Sequence, residues 1–305
     1  MLTFADVEAA ATRISGRVRR TPVLPAADGV WFKLEFLQHT GSFKARGALN
    51  NVLAAAERGE LPAAGVIAAS GGNAGIAVAW AAAQVGVPAE IHVPVTAPAV
   101  KVARLKALGA TVVQTGTEYA QSWAASVERA RVTGAYQCHA YDQVPMVAGA
   151  GTVALELVAD VEVDTVLVAV GGGGLIGGIA AALEPTGVRV VSVEPRTASA
   201  MHSALAAGEV VPVSVSGVAA DSLGAPSVGR IAFDVASRTR MGAVLVSDED
   251  ILAARRRLWD EWRIVTETGA AAAYAALSGG AYVPADGERV AVVLCGANTN
   301  PADLA

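Results

Sequence analysis

Between Gly65 and Glu194 the chain repeats one unit, a short apolar run followed by a longer helical stretch. That alternation leaves few folds open. Strands this short and apolar must be covered on both faces, and a helix between consecutive strands brings the next one in parallel. The strands read as Gly65–Ala69, Glu90–Val95, Thr111–Gln114, Ala135–His139, Asp164–Val170 and Val188–Glu194. The helices read as an Ala-rich one reaching Val85, then Ala99–Leu108, Glu118–Val132, Val144–Asp160 and Leu175–Leu183. Before this run stand a helix at Thr3–Val18, a strand at Val30–Phe36 and a helix from the Lys44 stretch to about Arg58. After it, Val210–Gly229 reads as a loop or lid. Ser247 caps a helix to Trp262, and a helix at Gly269–Leu277 and a strand at Arg289–Leu294 follow. The expectation is an α/β fold with two interleaved domains, each a mainly parallel sheet flanked by helices. Residues 65–142 make the small domain, and residues 1–64 with 143–305 the large one.

Composition narrows the partners. Hydrophobic residues are 53% of the 305 and charged residues only 17%, so a large core is expected. A formal net charge of -5 argues against nucleic acid or an anionic membrane. The one dense basic cluster, Arg255-Arg256-Arg257, reads as a solvated helix face. Cys138 and Cys295 are too few for a disulfide framework and lack zinc spacing. Neither apolar run, Ala74–Val85 or Val166–Leu183, reads as a membrane span, and the opening residues do not read as a signal peptide. The expectation is therefore a cytoplasmic protein with no metal, no membrane and no nucleic-acid partner.

Chemistry concentrates in Thr40-Gly41-Ser42-Phe43-Lys44-Ala45-Arg46-Gly47. A lysine between an aromatic ring and small residues is a candidate buried amine, and burial lowers an amine's pKa and makes it nucleophilic. Three further turns join it. Gly171-Gly172-Gly173-Gly174 leaves a strand and opens a helix, where bare amides and the helix N-terminus suit a phosphate. Ser70-Gly71-Gly72-Asn73-Ala74-Gly75 lets backbone approach a ligand and offers Ser70, Asn73 and amides to a carboxylate or ring oxygen. Cys295 ends a buried strand, a place that faces the ligand crevice in parallel sheets. The histidines, His39, His92, His139 and His202, show no ligand spacing and take no role. A rival reading stays open, because Gly172–Gly177 also matches the dinucleotide fingerprint, with Glu194 standing where a ribose-binding acid would be.

Taken together, Lys33-Leu34-Glu35-Phe36-Leu37-Gln38-His39-Thr40-Gly41-Ser42-Phe43-Lys44-Ala45-Arg46-Gly47-Ala48 and these turns resemble the serine/threonine dehydratase family of fold-type II pyridoxal-phosphate enzymes. The resemblance continues through Val193-Glu194-Pro195, Gly269–Leu277 and Val293–Asn298, and so spans nearly the whole chain. It implies a tryptophan synthase β-like fold and pyridoxal 5'-phosphate as cofactor. Lys44 and Ser70 become the candidate catalytic residues, Lys44 as the Schiff-base lysine. Phe43 would flank the cofactor ring, Asn73 would bond its phenolic oxygen, Cys295 would face its nitrogen, and Gly171, Gly172, Gly173, Gly174 and the Leu175 amide would hold its phosphate. Ser70, Gly71, Gly72, Asn73 and Ala74 would take the substrate.

The implied reaction is β-elimination from L-threonine or L-serine to a 2-oxo acid and ammonia. A racemase or a 3-hydroxyaspartate dehydratase is the alternative within the cofactor class. A nicotinamide oxidoreductase is the alternative outside it. Gly71 stands where serine racemases carry a serine, Ser222 replaces the glycine of an Ala-Asp-Gly segment, and Thr266-Glu267 stands at the family's Glu-Pro. No acid occurs between Arg196 and Gly208, where metal-binding members carry them. With so few residues after Cys295, no C-terminal regulatory domain is expected, and family members suggest a homodimer or homotetramer.

Overall fold

A computed structural model describes residues 1–304. In chain order it contains α1 (Phe4–Ile14), β1 (Val23–Ala27), β2 (Val30–Lys33), α2 (Lys44–Glu57), β3 (Val66–Ala69), α3 (Asn73–Val85), β4 (Ala89–Val93), α4 (Ala99–Ala107), β5 (Thr111–Gln114), α5 (Tyr119–Thr133) and β6 (Tyr136–Gln137). It continues with α6 (Val144–Asp160), β7 (Thr165–Ala169), α7 (Gly174–Leu183), β8 (Arg189–Pro195), α8 (Ala200–Ala207), α9 (Ala220–Leu223), α10 (Arg230–Thr239), β9 (Gly242–Val246), α11 (Asp248–Trp262), α12 (Thr268–Ser278) and β10 (Val290–Val293).

Two sheets result. A six-stranded sheet has the order β1-β2-β10-β7-β8-β9, with only β1 antiparallel to its neighbour. A four-stranded parallel sheet has the order β5-β4-β3-β6. All four of its strands fall within residues 66–137. The large sheet's strands come from both sides of that segment, and β10, nearly last in the chain, pairs with β2, nearly first.

Sequence explains the layering. Every residue of β7 and β10 is buried, as strands covered by helices on both faces must be. α7 is apolar all round and wholly buried. It crosses α6 at glycines: a Cβ on Gly178 would collide with the Val147 carbonyl and with Gly151. The N-termini follow local signals, with Thr3 and Ser247 closing capping boxes onto Asp6 and Asp250.

The differences from the sequence reading have local causes. The first helix stops at Ile14, before Ser15 and the left-handed Gly16. The strand from Val30 stops at Lys33, because Glu35–Leu37 turn into a short 3-10 helix. β1, α8, α10 and β9 have no counterpart in the sequence pattern, and the Val210–Gly229 stretch contains the short helix α9. Arg255 is no solvated residue. It is buried and donates to the Thr266 carbonyl at 2.8 Å and to Thr299 Oγ1 at 2.9 Å, tying α11 to the chain after β10. Among the described residues no helix is long and apolar enough to cross a membrane.

Candidate active site

Strand ends build the site. Residues 40–43 are laced to the end of β10: Phe43 N–H donates to the Cys295 carbonyl at 3.0 Å, Ala297 N–H to the Gly41 carbonyl at 3.0 Å, and Ser42 bridges Gly296. The turn needs left-handed backbone at Thr40 and Gly41, and a Cβ on Gly41 would meet Asn298 Oδ1 at 2.7 Å. This lacing delivers Lys44 as the first residue of α2 with its amine buried. Lys44 Nζ donates to the Ala140 carbonyl at 2.8 Å and lies 5.0 Å from the Phe43 ring centroid. Among the described residues no carboxylate pairs with it. Burial pushes its pKa down to about 8, against an opposing pull from Cys295 and Glu267. Near pH 7 about one such amine in ten is free, against about one in three thousand for an ordinary lysine.

The other charged residues of the Lys44 motif do a different job. Arg46, two positions on, makes a buried fork to Glu35 at 2.5 Å and reaches Glu156 at 2.7 Å. Lys33 bonds Glu156 at 2.9 Å and the Thr21 carbonyl at 2.6 Å, and Thr21 Oγ1 donates to Glu35 at 2.7 Å. Two cations and two anions thus neutralise one another beneath α2. They fix the helix that carries Lys44 and face no ligand.

Glu267 is the residue that sequence reasoning missed. It is buried, and its two carboxylate oxygens accept from Asn73 Nδ2 at 2.9 and 3.0 Å. Asn73 Oδ1 accepts from Asn298 Nδ2 at 2.6 Å, and Arg104 Nη1 of α4 donates to Asn298 Oδ1 at 2.6 Å. Burial pushes the Glu267 carboxyl up. The available signal was a lone acid before the alanine run Ala270–Ala273. Neighbouring departures also gain reasons. Ser222 Oγ accepts from the Gly269 amide at 3.0 Å, and Thr268 Oγ1 donates to the Val218 carbonyl at 3.0 Å. Together they dock α9 on the start of α12.

The substrate turn and the glycine turn each open a helix. Ser70 to Ala74 are half-buried, and Ser70 Oγ accepts from the Gly72 amide at 3.2 Å. First-turn amides of α3 have no carbonyl within the helix to bond, so they can meet an anion. A Cβ on Gly75 would collide with the Ser70 carbonyl, whereas one on Gly71 would meet only Val93 Cγ1 at 3.5 Å. Gly171–Gly174 lead into α7, with Gly173 at φ +87°. Glu194, the acid of the dinucleotide reading, is buried and directed elsewhere. Its oxygens accept from the Met201 and His202 amides, each at 2.7 Å, at the start of α8. Burial raises its pKa to about 7. A ribose would find that acid already bonded.

His139, set aside in the sequence, lies near Lys44. Its Nδ1 accepts from the Asp142 amide at 2.9 Å and the Tyr141 amide at 3.3 Å, so the proton of the neutral ring sits on Nε2. Burial lowers its pKa, and the Lys44 charge adds to the effect against Asp142. Tyr141 rests on the glycine turn, where a Cβ on Gly172 would strike its ring and one on Gly174 would meet its Cβ at 3.0 Å.

The residues present fit pyridoxal 5'-phosphate. A depressed amine suits an aldehyde, and a side-chain-free helix N-terminus suits a phosphate. Cys295 is buried, its thiol pushed up by burial and then by Glu267, and so stays neutral. Phe43, Lys44, Ala140, Tyr141 and Gly174 line one cavity between the amine and the glycine turn.

Comparison with known proteins agrees with this site. The family profile described as "Pyridoxal-phosphate dependent enzyme" matches residues 14–296. The phenylserine dehydratase of Ralstonia pickettii is 37% identical over 317 aligned positions, covering 99% of this chain and 96% of that one. The L-threonine ammonia-lyase of Geobacter sulfurreducens is 35% identical over 96% of this chain and 75% of its own length. Maize serine racemase superposes with a TM-score of 0.92 at 30% identity, covering 99% of this chain and 95% of that one. The fold and site therefore define a pyridoxal-phosphate-dependent enzyme of fold type II. Within that class, the chain belongs to the serine/threonine dehydratase family.

Proposed function

We propose that the chain dehydrates and deaminates L-threonine or L-serine to a 2-oxo acid and ammonia. The observation that carries this reading is Lys44, a buried, carboxylate-free amine with a pKa of about 8. Pyridoxal 5'-phosphate, when bound, supplies an electron sink that makes the Cα proton of an amino acid removable. Gly171, Gly172, Gly173, Gly174 and the Leu175 amide would hold its phosphate, Phe43 would flank its ring, and Cys295 would meet its nitrogen. Asn73 would meet its ring oxygen in exchange for a bond to Glu267.

The chain's own residues do the rest. The turn Ser70–Ala74 takes the substrate carboxylate on its first-turn amides and the Ser70 hydroxyl. That anchor sets Cα against Lys44, whose amine is free often enough near neutral pH to take the proton. Cys295, as a neutral thiol, does not hold a ring nitrogen protonated as a carboxylate would, which favours prompt loss of the Cβ hydroxyl over transamination. One water leaves across Cα–Cβ and one is taken up as ammonia departs.

Racemisation is the second reading. The likeness to maize serine racemase favours it, and the missing hydroxyl at Gly71 counts against it. We also propose a cytoplasmic homodimer or homotetramer in which residues 65–142 form the small domain. The deciding experiment is a 2-oxo-acid assay of the purified holoprotein on L- and D-serine, L- and D-threonine and 3-hydroxyaspartate. Turnover of L-serine or L-threonine that vanishes in Lys44→Ala is the expected result. Undiminished turnover by Lys44→Ala would overturn the reading.

A further inference from the structure

Lys44 faces an aromatic wall that the elimination chemistry does not use. Tyr141 directly follows Ala140, the carbonyl that receives Lys44 Nζ. Its ring meets His139 edge-on at 4.7 Å, and His139 meets Trp123 edge-on at 5.0 Å. Trp123 and Tyr119 are four residues apart on α5 and so share one face. The Tyr119 phenol lies close enough to Tyr141 to help burial raise its pKa to about 12. Tyr141, His139 and Trp123 are only half-buried, and Tyr119 is exposed, so the wall runs from the Lys44 amine to solvent.

Sheet register sets this wall beside the substrate turn. β6 pairs in parallel with β3, Gln137 opposite Ile67, and the Cys138 amide continues the ladder to the Ile67 carbonyl at 2.8 Å. The chain leaving β6 toward Ala140 therefore starts out beside the chain leaving β3 toward Ser70. The turn's own floor is free of side chains: a Cβ on Gly72 would meet nothing nearer than Ser70 Oγ at 4.0 Å. An amino acid anchored by its carboxylate at Ser70–Ala74, with Cα set against Lys44, directs its Cβ substituent along this surface.

The wall carries no free charge. Asp142, next to Tyr141, accepts from the Arg230 and Ile231 amides of α10 at 3.1 and 3.0 Å. His139 is neutral. At the rim, Lys101 pairs with Asp221 at 2.6 Å, and Arg104, whose acceptors are the neutral Asn298 amide and Thr40 carbonyl, is turned onto residues 40 and 298. A second carboxylate on the substrate, as in 3-hydroxyaspartate, would meet no cation among Tyr141, His139 and Trp123. A methyl group would leave most of the aromatic surface uncovered. A flat apolar ring would meet edges and faces that aromatic pairs favour.

We infer that Tyr141, His139 and Trp123 form the side-chain pocket for an aryl substituent, making 3-aryl-serines the preferred substrates over threonine and serine. The inference rests on the elimination reading for its chemistry and on the wall for its selectivity, and the two separate experimentally. Turnover is measured with the holoprotein on L-threo-3-phenylserine, L-threonine and L-threo-3-hydroxyaspartate. Binding without elimination is measured from the shift of the cofactor absorbance on titration with L-phenylalanine and L-alanine, which have no hydroxyl to lose.

The expected kcat/KM is about tenfold or more higher for phenylserine than for threonine. L-Phenylalanine should bind about tenfold tighter than L-alanine. Trp123→Leu, which keeps apolar bulk but loses the ring, should erase most of both ratios, and a ratio does not depend on how much enzyme folds. Equal or tighter binding of L-alanine, or ratios unchanged in both Trp123→Leu and Tyr141→Ala, would overturn the pocket assignment. Aryl-selective binding with no 2-oxo acid from any substrate would sustain the pocket and overturn the elimination reading.

Discussion

Two buried cations stand two residues apart on α2, and their surroundings are opposite. Arg46 is wrapped by Glu35 and Glu156, and although burial opposes its charge, the paired carboxylates raise its pKa. Lys44 is half-buried as a residue, but its amine is withdrawn from water with a backbone carbonyl for its one hydrogen-bond partner, and its pKa falls to about 8. Burial is common to both, so burial alone does not make a reactive group. The partner set decides: a neutralised cation becomes scaffold, and an unpaired one becomes a base.

That contrast can be broken by substitution. The largest effect is expected at Lys44, where Lys44→Ala should lower turnover by more than about a thousandfold while leaving the fold intact, checked by 2-oxo-acid assay and circular dichroism. Glu35→Ala should do the reverse. It leaves Arg46 and Lys33 to share Glu156 and should cost about 3–5 kcal/mol in urea unfolding, with the cofactor chemistry of the folded fraction little changed.

The pH dependence of stability gives a third test. Lys44 has a folded pKa of about 8 and an unfolded one near 10.5, so between those values the unfolded chain binds more protons. Stability should therefore rise with pH across that window, by about 3 kcal/mol from this group in the cofactor-free protein. Lys44→Met should lose that share of the slope, and an unchanged slope would remove the depressed amine from the account. Glu267→Gln should move Lys44 the other way from a new anion. Removing a negative neighbour lowers the amine pKa further, so the acid limb of the rate profile should shift to lower pH. Smallest of all, Gly71→Ser has room for its side chain and should change stability by no more than about 0.5 kcal/mol. Chiral chromatography should then detect D-serine formed from L-serine if that position governs the opposite face.

The same contrast explains what could be read in advance. The parallel α/β pattern, α6 and β5 to the residue, the Lys44 stretch, the glycine turn and the Ser70 turn were all legible, because each is a local pattern of period or of glycine placement. What escaped depends on distant partners. Lys33, Glu35 and Arg46 stand in the same motif as Lys44 with no role legible in the sequence, and Glu156, far along the chain, makes them scaffold. Glu267 looks like an ordinary helix residue and His139 shows no ligand spacing, until the chain ends of β10 and β6 bring them beside Lys44. Arg255 looked solvated because Thr266 and Thr299, its acceptors, lie outside its helix. α10 and β9 lie among the Ser- and Gly-bearing stretches beyond Glu194 and were recognisable only from packing on α7 and β8.

The most direct measurement is to reduce the holoprotein with borohydride, digest it and map the added mass. A pyridoxyl group on the peptide containing Lys44, with loss of the visible absorbance, is the predicted result. The same group on Lys33, Lys101 or Lys106, or on no lysine at all, would contradict the assignment of Lys44 as the reactive amine.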